Sequence, residues 1–196
     1  MPFALCSLFL PLYNGIMFEI IGLLILLLIA LLWFPYVQRT TKAGAPFVAM
    51  EPEVVERVMK LAGVKKGDVF YDLGSGDGRL VIAAALHGAK AYGIEIDWTK
   101  VIYSRIWIFI LRLRKQAKIL HKNFHDVNLK NADIVSLYLL QETNQKLKKK
   151  LKKELKPGTR IVSTAFTFDD WKPEKIDSRG TIYGPLYLYK VFVLTQ

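Results

Sequence analysis

Read from the N-terminus, the spacing of apolar residues changes several times, and each change predicts an element. Residues 2 to 18 carry no charge, Glu19 follows, and Ile20 to Phe34 is an uninterrupted apolar run of fifteen. Extended through Val37, it approaches the ~20 residues that cross a bilayer as a helix. A polar stretch punctuated by Gly and Pro runs from Gln38 to Met50. Beyond it, Val54, Val55, Val58, Met59 and Ala62 repeat at helical spacing behind Pro52 and the early acids of a first turn. Val69-Phe70-Tyr71 is β-like, and Leu80 to His87 is helical with a glycine stop at Gly88. Ala89 to Ile96 predicts a strand, Asp97 to Leu113 a long helix of high apolar density, and Ala117 to His121 a third strand. Ala132 to Leu140 has the near-continuous apolar character of a central parallel strand. Asn144 to Lys156 is a helix with Leu147, Leu151 and Leu155 four residues apart, and Thr159 to Phe166 is a fifth strand. Thr181 to Leu194 predicts two final strands with Gly184-Pro185 as the turn between them. The alternation gives an α/β fold: a Rossmann-like doubly wound sheet, mostly parallel with an antiparallel C-terminal hairpin, plus one N-terminal transmembrane helix. The expected organisation is a membrane anchor over 1–38, a linker over 39–50 and one domain over 51–196.

The chain is organised around Tyr71-Asp72-Leu73-Gly74-Ser75-Gly76-Asp77-Gly78-Arg79, where a strand meets a helix through glycines at every second position. Such a turn brings backbone close to a ligand. It is not a Walker A loop, because Arg79-Leu80 stands where Lys and Ser/Thr are needed, and the third glycine is one position early for a dinucleotide fingerprint. Asp72 and Asp77 would repel a pyrophosphate. They suit a ligand with hydroxyls, an amino group and a sulfonium, which describes S-adenosylmethionine. Glu95 stands near the end of the second strand, close to the offset at which an acid reaches ribose hydroxyls. Of Glu95 and Asp97, Glu95 is favoured to face the ligand, with Asp97 as the N-cap of the next helix.

These residues, Asp72 to Gly78 with Gly93-Ile94-Glu95, resemble the first two motifs of the class I S-adenosylmethionine-dependent methyltransferases. The match is closer to one branch, the membrane-anchored protein-lysine methyltransferases related to those of the adenine nucleotide translocase and the c-ring protein of ATP synthase. The resemblance runs from about Pro35 to the C-terminus. It implies cofactor binding by Asp72, Gly74, Ser75, Gly76, Asp77, Gly78 and Glu95, with Asn123 and Phe124 just after the third strand at the adenine edge; Asp126 is an alternative reader. It also implies that Tyr138 to Gln141 border the acceptor pocket. Tyr138, Gln141 and Glu142 are catalytic candidates by position alone, and no base is named. The branch usually carries a Val-Pro-Thr-Pro-like stretch where this chain has Val48-Ala49-Met50-Glu51-Pro52.

Composition sharpens the partners. The 196-residue chain has a formal net charge of +11, which favours acidic partners or anionic lipid. Cys6 is the only cysteine, so neither a disulfide framework nor a cysteine zinc site forms within one chain. His121 and His125 lack a defined ligand set, and no metal is expected. Trp33 and Tyr36 suit an aromatic belt, and Arg39 and Lys42 place the domain on the cytoplasmic side. Met17 is an alternative start. Seven lysines between Lys146 and Lys156 suit a solvated face or an anionic lipid surface. The Asn/Asp-Pro-Pro-Tyr/Phe signature of base-modifying DNA enzymes is absent after the fourth strand, and no nucleic acid partner is expected. The expected function is methylation of a lysine on a membrane or membrane-proximal protein. The rivals are a membrane-tethered lipid or small-molecule methyltransferase, a non-catalytic scaffold and a nicotinamide oxidoreductase.

Overall fold

A computed structural model describes residues 17–31, 48–179 and 182–191. The chain divides into two compact units, Met1–Ala43 and Gly44–Gln196. In the first, residues 17–31 form helix α1, apolar except for Glu19 and exposed along its length. Among the described residues no helix is long and apolar enough to cross a membrane. The expected span continues to Val37, and residues 32–37 lie outside the described ones.

The second unit begins with α2 (Pro52–Ala62), whose Val54, Val55, Val58, Met59 and Ala62 are buried as their spacing predicts. Pro52 opens it, and Gly63 closes it in the left-handed region at φ 60°, with its N–H on the carbonyls of Lys60 and Met59. The order continues β1 (Val69–Leu73), α3 (Arg79–Leu86), β2 (Lys90–Glu95), α4 (Trp98–Ile110) and β3 (Ala117–His121). A 3₁₀ turn (Phe124–Asp126), β4 (Ile134–Leu137), α5 (Gln141–Glu154), β5 (Arg160–Thr164), β6 (Lys175–Asp177) and β7 (Leu186–Lys190) complete it.

The seven strands form one sheet in the order β3-β2-β1-β4-β5-β7-β6. β1 to β5 run parallel to their neighbours, and β7 is antiparallel to both β5 and β6. Residues of β1 serve two cores. Phe70 joins Val58, Val81 and Val101, while Leu73 joins Leu147, Leu151 and Tyr189. The order reverses between β1 and β4, and the switch point places the functional edge at the carboxyl ends of these strands.

The expected boundaries need three corrections. β4 stops at Leu137, short of Leu140, because the chain must leave the sheet to start α5 at Gln141 rather than at Asn144. α4 ends at Ile110, and Arg112 turns the chain in the left-handed region at φ 57°. Among the described residues, 181–194 holds one strand of the closing hairpin rather than two. Gly184-Pro185 precede β7, and its partner β6 lies upstream of Thr181. β6 has three residues and an exposed Ile176, too short for a periodic signal. A partly buried ion pair holds it instead: Arg57 of α2 donates to both Asp177 oxygens at 3.0 and 2.9 Å. Arg179 and Arg57 together hold the Asp177 carboxyl far below the usual carboxylate range.

Candidate active site

The turn between β1 and α3 is bound onto β2. The N–H groups of Gly74 and Ser75 both donate to Ile94 O, at 2.9 and 3.0 Å, and Gly78 N–H closes the turn on Ser75 O at 2.9 Å. Gly74, Gly76 and Gly78 take φ of 81°, 54° and 81°, a region that costs other residues strain. Gly93 on β2 serves a different need. A Cβ there would stand 2.6 Å from Ser75 Oγ, so only glycine lets the loop lie this close. On the far side, the Ser104 hydroxyl of α4 lies 3.1 Å from Gly76 O and 2.7 Å from Lys100 O. Sequence reading gave Ser104 no role. It is one polar residue inside an apolar helix, and only the close approach of α4 to the loop reveals its use.

Glu95 ends β2 and Asp97 opens α4, so the two acids take different roles. Glu95 is buried, and its carboxylate accepts from Gly76 N–H at 2.8 Å, Ile96 N–H at 2.9 Å and Asp97 N–H at 2.8 Å. Asp97 caps α4, accepting from Thr99 N–H at 2.9 Å. Asp72, one residue before the end of β1, lies beside Gly93 of β2 and Ser136 of β4 in the register. Burial first and the Glu95 carboxylate second push it up to about 8, against the Ser136 hydroxyl, which favours the charged form. Asp77 is turned outward to grip Arg79, whose Nε lies 2.9 and 3.0 Å from its oxygens. The same guanidinium bonds Met50 O, tying the segment before α2 to the loop.

The residues after β3 are less enclosed. Asn123 is exposed and caps the 3₁₀ turn, its Oδ1 accepting from His125 N–H at 3.0 Å. Phe124 is half-buried against the core beneath, and Asp126 is exposed. His121 lies 3.0 Å from Ile96 O, and among the described residues no three metal-binding side chains converge.

At the ends of β4 and β5 the buried groups are neutral. Asn144 Nδ2 donates to Ser163 Oγ at 3.1 Å, and Ser163 donates to Phe166 O at 2.5 Å. Asn144 Oδ1 and Thr164 Oγ1 are buried without a hydrogen-bond partner, and Ser136 Oγ has only the Asp72 carboxyl beside it. Tyr138 is half-buried, its hydroxyl pushed up by burial and by Tyr183, so it stays a neutral phenol. Tyr183 is buried in the core cluster against which Tyr138 packs. Gln141 is committed to a latch, donating to Asp169 at 3.0 Å. Glu142 points into solvent on an ion pair with Lys146 at 2.7 Å, and that pairing lowers its carboxyl. Of the three positional candidates, Tyr138 alone lies among these buried groups.

The donor set fits S-adenosylmethionine on its own chemistry. Two buried acids face the loop, Ser75 Oγ is buried and unpartnered, and the one loop cation is spent on Asp77. A dianionic pyrophosphate would meet the Glu95 carboxylate and hold Asp72 in its neutral form, whereas a ligand with a sulfonium, an ammonium and hydroxyls meets acceptors and favours the charged Asp72.

Fold and site together define a Rossmann-like methyltransferase dependent on S-adenosylmethionine. Residues 72–175 match the model of the ANTKMT methyltransferase domain, and the chain belongs to that family. A protein-lysine N-methyltransferase of Saccharolobus islandicus is 37% identical over 150 residues, covering 74% of this chain and 93% of that protein. The mouse adenine nucleotide translocase lysine N-methyltransferase is 32% identical over 162 residues, and the match covers 82% of this chain and 70% of that protein. A crystal structure described as an RNA methyltransferase of Salinibacter ruber, in complex with S-adenosyl-L-homocysteine, superposes with a TM-score of 0.71 at 35% identity. It covers 74% of this chain and 95% of that one.

Proposed function

We propose that the chain is a protein-lysine N-methyltransferase that uses S-adenosylmethionine and works beside a membrane. The single observation that carries the activity is the match along 93% of the Saccharolobus protein-lysine methyltransferase, coupled to the intact acid-flanked loop. Asp72, Ser75 and Glu95 hold the cofactor, with the amides of the Gly74–Gly78 turn close against it and Asn123 and Phe124 at its adenine end. S-adenosylmethionine supplies an electrophilic methyl group on a sulfonium. The protein's task is to orient a neutral amine in line with it, so catalysis rests on proximity and alignment. The half-buried Tyr138, the buried Tyr183 and the uncharged Asn144 and Thr164 suit this, since neutral surroundings disfavour the ammonium form of an incoming lysine.

The apolar run from Ile20 to Val37 supports membrane attachment, and Arg39 and Lys42 support a catalytic unit on the cytoplasmic side. A short linker then keeps the site near membrane-protein lysines. The test is incubation of full-length protein with methyl-labelled cofactor and a total membrane and soluble extract. Label released by protease digestion as methylated lysine, chiefly from membrane proteins, is the expected result. Label released by ribonuclease, or extracted into the organic phase, would instead support an RNA or a lipid acceptor. Equal labelling of soluble proteins would remove the membrane restriction and leave the lysine activity.

A further inference from the structure

α4 has an apolar face turned away from the protein. Val101, Ser104 and Ile108 are the buried side of this helix. At about 100° per residue, the opposite side is centred on Ile106 and takes in Trp98, Ile102, Tyr103, Trp107, Phe109 and Ile110. All are exposed, from 41% at Trp107 to 57% at Ile110, and Thr99 is the one polar residue within that arc. Ile96, 50% exposed, extends the apolar strip towards the Glu95 loop. A surface helix ordinarily shows polar side chains there, and an apolar patch of this extent marks a contact surface.

Charge selects the occupant. From Trp98 to His125 the chain carries seven Lys or Arg and no Asp or Glu. Arg114 lies 4.2 Å from the centre of the Phe109 ring, which sets a cation at the margin of the apolar face. Arg112, Arg114, Lys115 and Lys118 form no salt bridge with the described residues. A second copy would bring like charges together, whereas an anionic lipid surface meets both the apolar side chains and the cations. α5 is the contrast. Its lysine run looks more basic in the sequence, yet Lys146, Lys148, Lys150 and Lys156 pair with Glu142, Asp170, Glu154 and Asp133.

We propose that α4 lies in the headgroup region of an anionic bilayer, with Ile106 and its neighbours in the acyl boundary and Arg112, Arg114 and Lys115 on lipid phosphates. This contact is independent of the acceptor's identity and of the N-terminal run. It would hold the mouth of the loop, beside Ile96 and Trp98, at the membrane surface.

The test uses the full chain in vesicles of equal parts phosphatidylcholine and phosphatidylglycerol. With Cys6→Ser removing the native thiol, an environment-sensitive fluorophore is attached at Ile106→Cys or, for comparison, at Lys149→Cys on α5. The label at 106 should shift to the blue and be quenched several-fold more by lipid-borne nitroxides than the label at 149. Arg112→Glu with Arg114→Glu should reduce that difference. Equal, water-like behaviour at both sites would overturn the proposal. A label at 106 shielded from water but not quenched by lipid would also overturn it, because the face would then be covered by protein.

Discussion

The carboxyl edge of the sheet has two unlike halves. At the ends of β1 and β2, ionisable groups are buried together: Asp72 and Glu95 sit under a turn that Glu95 braces through Gly76 N–H. At the ends of β4 and β5 the buried groups are hydroxyls and an amide, namely Ser163, Thr164 and Asn144. The first half suits a ligand that carries permanent positive charge. The second, assigned to the acceptor, suits an amine that must arrive without its proton. One sheet edge thus offers opposite electrostatic environments to donor and acceptor, and each half can be perturbed without the other.

The largest effect falls on the charged half. Glu95→Ala leaves three backbone N–H groups without their acceptor and removes a hydroxyl-binding carboxylate. Affinity for S-adenosylmethionine, measured calorimetrically, should fall roughly 100-fold or more. Retained affinity would mean that the loop amides and Asp72 suffice, and the contrast between the halves would lose its basis. Tyr138→Phe should act on the other half alone. Turnover should fall about tenfold with cofactor affinity unchanged, since only an orienting hydroxyl is lost. A parallel loss of cofactor affinity would merge the two halves into one site.

Asp72 makes the halves distinguishable by pH. Its carboxyl, pushed up to about 8, stays protonated in the free protein through neutral pH. The unfolded chain releases that proton near pH 4. Between about pH 4 and 8 the folded state therefore binds the extra proton, and stability contributed by this group falls as pH rises. Asp72→Asn should remove that slope and raise the melting temperature at pH 7 by roughly 5 °C, a gain of about 1–2 kcal/mol. A cationic ligand favours the ionised carboxyl, so wild-type affinity should climb from pH 6 towards pH 8 and level off above it. Asn at this position should bind weakly with little pH dependence. A wild-type affinity that is flat in pH would mean that Asp72 is already ionised.

How much of this was legible in sequence also divides by half. The charged half is local: three glycines and two acids within one strand–turn–helix, with Glu95 at the next strand's end, so spacing alone located it. The neutral half is assembled across distance. Asn144 reads as one more polar residue of a lysine-rich helix until it is found bonded to Ser163, nineteen residues on. Ser104 carries no periodic signal, yet it lies against Gly76 O. β6 is held by an ion pair spanning 120 residues, so three residues could not announce themselves as a strand. Position alone also brought forward Glu142, which the start of α5 turns outward.

That misplacement supplies the smallest prediction and the sharpest check on the acceptor half. A lysine methyltransferase invites the search for a carboxylate base, and Glu142 follows β4 at the expected distance. Its side chain is 79% exposed, and Lys146 keeps it ionised with a lowered carboxyl, which makes it a weak base in open water. Glu142→Gln should therefore change turnover by less than about twofold. A drop larger than that of Tyr138→Phe would place the incoming amine over the start of α5 rather than among Tyr138, Tyr183 and Thr164. The neutral groups would then be packing, and the acceptor would be recognised by charge, as the cofactor is.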